Sequence, residues 1–437
     1  MKNKDELLIK VNELIEKCVV SNDRKDDYFR HFLDNKGNAY YVLPSEEVLF
    51  NEIVREILQS SFISTKTNEE NISRRIDNLI REHKVCKTKV EKEELEDMEN
   101  IYKNATEITE RVFGPIHGLC VKSNSPVSIG KFTFYDTAKH KSNLEDYLKG
   151  LGFHDEVIQR KICEMRKHAT LVSMSIKAYS IPSPTNEKIN EAGYSMNCTI
   201  DIFERLQSVF RWLLSFCIGE GDVGVTHDIG IIDFKRRFDS DIFFVSECQN
   251  PQIRGYHSGQ DLFASHKISI EELQSGAEKL SIDLDALFAL CSDTNVANEK
   301  SMNLIGNRLK AALLFYGRAY YSFPRPISLL ESVTSMEAIV GENEGKLALR
   351  FREYLTFLLG EGDSDKRKKL KLSAKKIYSL RSAISHGSDF DVDIGKSKES
   401  LLFARDLILK FVTDAQLKEL KNVGDLNAYI KKLRDTN

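Results

Sequence analysis

Apolar residues at three-to-four-residue spacing recur from about residue 268 to the C-terminus, and proline or glycine interrupts each run. The longest runs are 295–321, 327–340 and 397–420. This spacing puts apolar side chains on one face of a helix, and proline and glycine are the residues at which helices begin and end. The pattern therefore predicts an all-α bundle in this part of the chain.

Upstream of this bundle the chain changes character twice. Residues 1–115 have helical periodicity: Glu46–Leu58 has a clear apolar stripe, and the highly charged stretch Asn71–Ile101 predicts an exposed helical hairpin or arm. Residues 116–267 alternate between apolar and polar positions, as strands do, and also contain helical stretches. We therefore predict an α+β multidomain protein.

Three regions follow from this division. They are a helical N-terminal region (1–115), a mixed α+β domain (116–267) and an all-α domain (268–437) whose core is about 295–425. Within the middle domain we expect strands near 119–121, 128–135, 169–180 and 223–245, and helices near 143–166 and 200–218. A chain of 437 residues is long enough for two or three such domains.

Composition narrows the class of protein. The chain is 41% hydrophobic and 30% charged, which is typical of a globular protein and excludes long disorder. Its first ten residues are charged where a signal peptide is apolar, and its most apolar stretch, Val209–Ile218, is too short to span a bilayer. The eight cysteines form no Cys-x-x-Cys pair. We expect a cytoplasmic protein with reduced thiols and no membrane partner.

The formal net charge of −3 conceals an asymmetry. From Asn295 onward there are 25 Lys and Arg against 18 Asp and Glu, a net of +7, whereas the preceding residues carry −10. A basic segment can attract polyanions. The alternative is that this difference in net charge is only chance variation in surface charge. The C-terminal third is the part of this chain that could attract RNA.

The segment Ile377–Gly387 contains the residues that point most directly to chemistry. Arg381 and His386 lie five residues apart, just before a glycine that ends the helix. Arginine is always charged and histidine titrates near neutrality, so the two together suit phosphate chemistry. Five residues advance an ideal helix by about 500°, which leaves the two side chains about 140° apart. They converge only if the helix breaks near Gly387 or if two copies of the helix meet.

Three other motifs resemble known binding sites, but the residues or the elements around them do not match those sites. Gly219–Gly224 has the G-x-G-x-x-G spacing but follows a helix, whereas a dinucleotide site needs a strand before it and a helix after it. Lys396 and Ser397 resemble the end of a P-loop, but Phe390 occupies the position of its first glycine. The Asp389, Asp391 and Asp393 loop lacks the glycine and the glutamate of a calcium loop. The sequence thus predicts no cofactor and no metal site.

The arginine–histidine segment resembles the HEPN superfamily, specifically its ApeA-like branch. The resemblance covers about residues 295–425 and includes two preceding helices. Ser328–Gly341, with Glu337, is similar to a helix of that branch that carries a leucine, a glutamate and an apolar pair. Leu347–Arg352 is similar to the arginine-bearing helix that follows it.

This resemblance implies a short helical bundle that dimerises, with the arginine–histidine motifs of two subunits lining a shared cleft. It implies a metal-independent endoribonuclease of a toxin–antitoxin, abortive-infection or antiphage system, with a phage-derived trigger or an antitoxin as a further partner. His386 would act as general base or acid and Arg381 would hold the scissile phosphate. The residue after the arginine is often Asn, Asp or His in the family, and here it is the uncharged Ser382.

Each of these residues also has a structural interpretation. Arg381 could pair with Glu337 within the bundle, and His386 could be a helix-terminal residue that the helix dipole favours. Exposed lysines before the motif could steer RNA or simply solvate a helix; they are Lys368, Lys369, Lys371, Lys375 and Lys376. The alternative function is a non-catalytic dimerisation module that binds RNA, nucleotide or protein. In either case the upstream regions would recognise a trigger or restrain the C-terminal domain.

Overall fold

The computed structural model describes residues 4–21, 30–33, 39–60, 63, 69–181, 189–190, 192–217, 242–247, 252–256, 268–292, 304–322, 325–341, 347–360, 362–387 and 391–435. The chain divides into two compact units. The first unit comprises residues 1–110, 176–199 and 246–249, and the second comprises 111–175, 200–245 and 250–437.

Helices dominate the described chain. In order they are α1 (Lys4–Lys17), α2 (Glu47–Leu58), α3 (Glu69–Cys86), α4 (Lys92–Lys103), α5 (Lys141–Gly150), α6 (Asp155–Met165), α7 (Ala192–Cys217), α8 (Ile270–Lys279), α9 (Leu284–Ser292), α10 (Ile305–Tyr321), α11 (Arg325–Val340), α12 (Leu347–Gly360), α13 (Ser364–Ser385), α14 (Ile394–Thr413), α15 (Ala415–Lys418) and α16 (Val423–Asp435).

The strands are shorter and lie mostly in the first half of the chain. They are β1 (Val19–Ser21), β2 (Arg30–Leu33), β3 (Ala39–Val42), β4 (Thr106–Pro115), β5 (Leu119–Cys120), β6 (Val127–Ile129), β7 (Phe132–Asp136), β8 (Thr170–Ile181), β9 (Ile189–Asn190), β10 (Ile242–Glu247), β11 (Ile253–Tyr256) and β12 (Ile268–Ser269). The molecule is therefore an α+β protein.

The first unit is a helical core with a small antiparallel sheet. Strand β3 pairs with β1 on one side and β2 on the other. Helices α1 to α4 bury one continuous apolar cluster, which includes Val11, Phe50, Ile76 and Tyr102. At the turn between α3 and α4 the Asn12 side chain exchanges two hydrogen bonds with the backbone of Val90, at 2.8 and 3.0 Å. This contact ties the turn to α1.

The central sheet of the second unit has the strand order β11-β10-β4-β8-β7-β6. Alternate residues of a strand face opposite sides of a sheet. Tyr135 and Phe113 accordingly pack with α5 and α6 on one side. Phe134 faces the other side, where its ring lies 5.7 Å from that of Phe210 in α7. The sheet is thus covered by helices on both faces.

The C-terminal helices of the second unit form the layer that carries the arginine–histidine segment. Helix α10 packs on α11, α11 packs on α14, and α12 packs on α13. Helix α13 buries Leu370, Ala374, Ile377 and Ile384, which recur on one face at helical spacing. No helix in the described part of the chain combines the length and the apolar character that a membrane crossing requires.

Several sequence-based predictions need correction. Residues 1–115 are not helical throughout, because β1, β2, β3 and β4 lie there; β1, β2 and β3 have only three or four residues each, too few for their alternation to be recognised in the sequence. The hairpin predicted in Asn71–Ile101 exists as α3 and α4, but it is not an exposed arm. Most of its apolar residues are buried, and Ile72, Ile80 and Leu95 are fully so, although Val85 is 40% exposed.

Two predicted helices have different bounds. The helix predicted over 143–166 is interrupted near Gly152, whose φ of +87° favours glycine, so it forms α5 and α6. The helix predicted over 397–420 ends at Thr413, because the Asp414 side chain caps the start of α15. Helix α16 follows it and was not predicted. The predicted 223–245 strands, apart from β10, and the Gly219–Gly224 motif lie outside the described residues.

Candidate functional site

Helix α13 positions the candidate residues, and both of its ends are capped. At its start the Asp363 carboxylate accepts hydrogen bonds from the backbone N–H groups of Asp365 and Lys366, at 2.9 and 3.0 Å. At its end His386 is the C-cap, and Gly387 follows with a φ of +70°. A left-handed glycine directly after the cap is a common way to stop a helix. The local sequence therefore fixes where the helix ends.

The helical hydrogen bonding of α13 continues as far as His386, so the end of the helix does not bring the side chains of Arg381 and His386 together. The His386 backbone N–H still donates to the Ser382 carbonyl oxygen at 3.1 Å, which is the i to i−4 bond of a regular helix. In an ideal helix the two side chains point about 140° apart. The helix does end near Gly387, but only after His386 has taken its helical hydrogen bond, so a meeting of two copies is the arrangement that favours convergence.

Arg381 lies against Glu337 of α11. The arginine Nη2 donates to Oε2 of Glu337 at 3.2 Å, and the side chains are 28% and 11% exposed. The guanidinium carbon also lies 6.0 Å from the centre of the Tyr378 ring, one helical turn earlier. The structure thus contains the ion pair between Arg381 and Glu337, which is the structural role that the sequence offered for Arg381.

The ion pair of Arg381 and Glu337 is joined by one hydrogen bond rather than two. Among the described residues, Nε of Arg381 and Oε1 of Glu337 are buried and have no hydrogen-bond partner. Arginine and carboxylate groups can form two parallel bonds, and such a pair holds its geometry more tightly. The arrangement therefore leaves one donor and one acceptor buried between α11 and α13 without a hydrogen bond to any described residue.

Burial dominates the electrostatics of this pair. It raises the pKa of the Glu337 carboxyl above its ordinary value, while the charge of Arg381 opposes the shift. The Tyr378 hydroxyl interacts with the same carboxyl, and burial followed by the charge of Glu337 raises the pKa of Tyr378 as well. Tyr378 joins Arg381 and Glu337 in one cluster, as its position three residues before Arg381 would indicate.

His386 and Ser382 have a different setting from Arg381. The imidazole of His386 is exposed at the C-terminal end of α13, and Ser382, one turn earlier, is half-exposed. An accessible imidazole at a helix end can exchange protons with a ligand and with solvent. The structure places Ser382 and His386 on one side of the helix and Arg381 on another.

The candidate lysines are all exposed on α13, and they fall on two sides of it. Lys368, Lys371 and Lys375 lie on the side of Ser382 and His386, whereas Lys369 and Lys376 are turned away from it. Lys368 forms an exposed ion pair with Asp365 at 3.2 Å, and such a pair contributes little to stability. RNA binding by these five lysines stays a prediction.

One further residue that the sequence did not indicate helps to place Glu337. The Arg308 guanidinium of α10 donates to backbone carbonyl groups of Ala338 and Ile339 and to that of Gly341, at the end of α11. A cation at the last carbonyl groups of a helix stabilises that end. Arg308 thereby holds the turn that carries Glu337. Contacts between distant helices of this kind leave no local sequence signal.

The aspartate loop before α14 has a structural role at one of its positions. Asp393 is the N-cap of α14, and its carboxylate accepts from the backbone N–H groups of Gly395 and Lys396. Asp389 lies outside the described residues. In the described part of the chain, no group of three His, Cys, Asp or Glu side chains is arranged to hold a metal ion.

Comparison of this chain with protein-family models, with curated proteins and with solved structures finds no match. The residues and their geometry are therefore the basis for a functional conclusion.

Proposed function

We propose that this protein is a metal-independent endoribonuclease of the ApeA-like HEPN type, and that it acts as a homodimer. The observation that carries the proposal is the exposed imidazole of His386 at the end of α13, one turn after Ser382 and Arg381. The resemblance of residues 295–425 to HEPN bundles supports it. The chain would work in the cytoplasm as a toxin or antiphage effector, with a trigger or antitoxin as regulator.

The chemistry needs a proton acceptor, a proton donor and a cation. One imidazole removes the proton of the ribose 2′-hydroxyl, and the 2′-oxygen attacks the adjacent phosphorus. The 5′-oxygen leaves and takes up a proton from water, which gives a 2′,3′-cyclic phosphate and a 5′-hydroxyl, and the imidazolium returns its proton to solvent. Arg381 offsets the charge on the phosphate oxygens. A second copy of α13 can bring its Arg381 to the His386 of the first, which fits a dimer, and Ser382 can donate or accept a hydrogen bond.

The test is RNA cleavage by the purified full chain in EDTA, with the ends of the products mapped. We expect His386→Ala and Arg381→Ala to lower the cleavage rate by about 100-fold or more, since positioned acid–base groups contribute that much. Cyclic phosphate ends should be produced by the wild type.

Matched controls exist within the second unit. His154 is an exposed histidine at the start of α6, and Arg434 forms an exposed ion pair with Glu353. His154→Ala and Arg434→Ala should cleave like the wild type. Cleavage that persists in His386→Ala, or that requires added divalent metal, would contradict the proposal.

A second candidate function has its own support. Because Arg381 is held by Glu337 and points about 140° from His386 within one chain, the bundle could bind RNA, nucleotide or protein without cutting. RNA binding that survives both substitutions, with no cleavage products from the wild type, would favour this binding module.

A further inference from the structure

The outward side of α13 carries one continuous line of basic and hydroxyl side chains that ends at His386. We call this line the α13 track, and its members are Lys368, Lys371, Lys375, Ser379, Ser382 and His386. Their separations are three or four residues, which keeps them on one side of a helix. At 1.5 Å per residue the track is about 27 Å long.

Three more lysines of α13 lie off the track, at least about 100° around the helix from Lys375, and two of them, Lys369 and Lys376, share one flank. Both have carboxylates near them. Backbone hydrogen bonds from Lys366 and Asp365 lower the pKa of Asp363, and the charge of Lys369 adds to that shift. On the same flank burial works against ionisation of Glu399, but Lys396 foremost, with a contribution from Lys376, holds its pKa below the ordinary value. The positive charge of these flanking lysines is therefore partly balanced.

The central lysines of the track differ from the flanking ones. Lys371 and Lys375 are exposed, and no salt bridge joins either of them to a carboxylate within the described ranges. Both lie on the helix side opposite the buried Ile377 and Ile384, and within the described residues their side chains are exposed. Their charges face solvent and are available to a polyanion.

An exposed apolar side chain accompanies these charges. Leu372 lies between Lys371 and Lys375 at the border of the track, and it is 63% exposed. A single strand of nucleic acid presents both phosphates and unstacked bases, so its binding surfaces combine cations with groups that contact bases.

We propose that the α13 track binds single-stranded RNA along the helix axis, with phosphates on Lys368, Lys371 and Lys375, and leads the strand to Ser382 and His386. The assignment rests on the proposed function, because it gives the path of the substrate toward that site. Charge complementarity selects the occupant: Lys371 and Lys375, which have no salt bridge in the described part of the chain, and Lys368, whose ion pair with Asp365 is exposed, fit the regular negative charge of a phosphodiester backbone. Arg381 is not part of the track.

The decisive measurement is the salt dependence of RNA binding by the full chain. A fluorescent 12-nucleotide RNA is titrated with the His386→Ala variant, which keeps the RNA intact, from low to moderate salt. Each phosphate contact that is lost lowers the slope of log K against log salt by about 0.7 for a single strand. We therefore expect K371Q/K375Q to lower the slope by about 1.4.

A control variant with the same change in net charge distinguishes phosphate contacts of the track lysines from general electrostatic attraction of RNA to the protein. K369Q/K376Q removes the same charge from the same helix, but from its flank, and should lower the slope by less than half as much. K418Q/K421Q removes exposed lysines beyond α14 and should leave the slope unchanged. Equal slopes for the two α13 variants would overturn the track, as would binding to anionic vesicles in preference to RNA.

The two proposals, RNA binding by the α13 track and RNA cleavage at His386, can be contradicted separately. If the track is wrong but the nuclease proposal holds, K371Q/K375Q with His386 intact cuts RNA with wild-type salt dependence. If the nuclease proposal is wrong but the track holds, the slopes differ as expected while the wild type leaves RNA uncut.

Discussion

At the scale of single residues, Glu337 is the group whose environment has the clearest consequence. Its side chain is 11% exposed, one of its oxygens is buried without a partner among the described residues, and Arg381 reaches it through one hydrogen bond. Burial raises its pKa, so the ionised form is less favourable in the folded state than in the unfolded one. Its contribution to stability must therefore depend on pH.

The sign of this dependence follows from linkage. A carboxyl whose folded pKa is raised favours folding most below its unfolded value, near 4.5, and loses that contribution as pH rises through the folded pKa. Glu337→Gln removes the titration. We expect the free energy of unfolding of the wild type, relative to this variant, to decrease from about pH 4 to pH 7.

Urea unfolding of both proteins across this range measures the effect. At pH 7 the variant should be within about 1 kcal/mol of the wild type or more stable, since the freed guanidinium is partly exposed to water. Glu353→Gln removes the partner of Arg434 in an exposed pair and serves as the control. A relative stability of the wild type that rises with pH would contradict this account.

At the scale of elements, the continuity of α13 from Ser364 to Ser385 decides how a site can be built. In an ideal helix Arg381 and His386 point about 140° apart, so one copy of the helix does not direct both at one phosphate. A twofold dimer can place Arg381 of one copy beside His386 of the other. In that case the two residues of one site belong to different subunits.

Complementation between inactive variants tests this arrangement. Arg381→Ala and His386→Ala are mixed in equal amounts, dissociated and reassociated. A mixed dimer with twofold symmetry then has one site with both residues and one with neither, so random reassociation restores about a quarter of wild-type cleavage. Each variant reassociated alone is the control. No recovery, in a sample that light scattering shows to be dimeric, would rule out sites shared in this way.

The same helix shows what sequence could and could not predict. Gly387 predicted the end of α13, because a glycine that stops a helix is a property of local geometry. The position of Glu337 beside Arg381 was one alternative among several, since 44 residues separate them and only packing of α11 on α13 brings them together. The separation of track lysines from flank lysines required knowing which sides of α13 other helices cover.

At the scale of the whole molecule, the all-α region 268–437 is not a compact unit by itself. The part of α7 from Ile200 onward belongs to the same unit as the C-terminal helices. The Trp212 indole N–H donates to the Arg405 carbonyl oxygen at 3.1 Å, and Glu204 accepts from Nε of Arg318 at 3.0 Å. A Cβ on Gly317 would lie 2.4 Å from that of Ser208, so α7 and α10 are in close backbone contact. The sequence did not predict this, because a buried helix is apolar whichever domain it joins.

Removing α7 should therefore unfold the C-terminal helices. Trp212 and Phe210 are fully buried, and loss of one large buried aromatic side chain costs about 3–5 kcal/mol. Losing both is comparable with the whole stability of a typical domain, about 5–15 kcal/mol. We expect the fragment 268–437 to show no cooperative thermal transition by circular dichroism, whereas 105–437, which keeps β4 and α7, melts cooperatively. If 268–437 melts at the temperature of 105–437, α7 is dispensable. Whether the upstream regions restrain cleavage is thus to be tested by comparing 105–437 with the full chain, because inactivity of the shorter fragment would reflect the loss of its core.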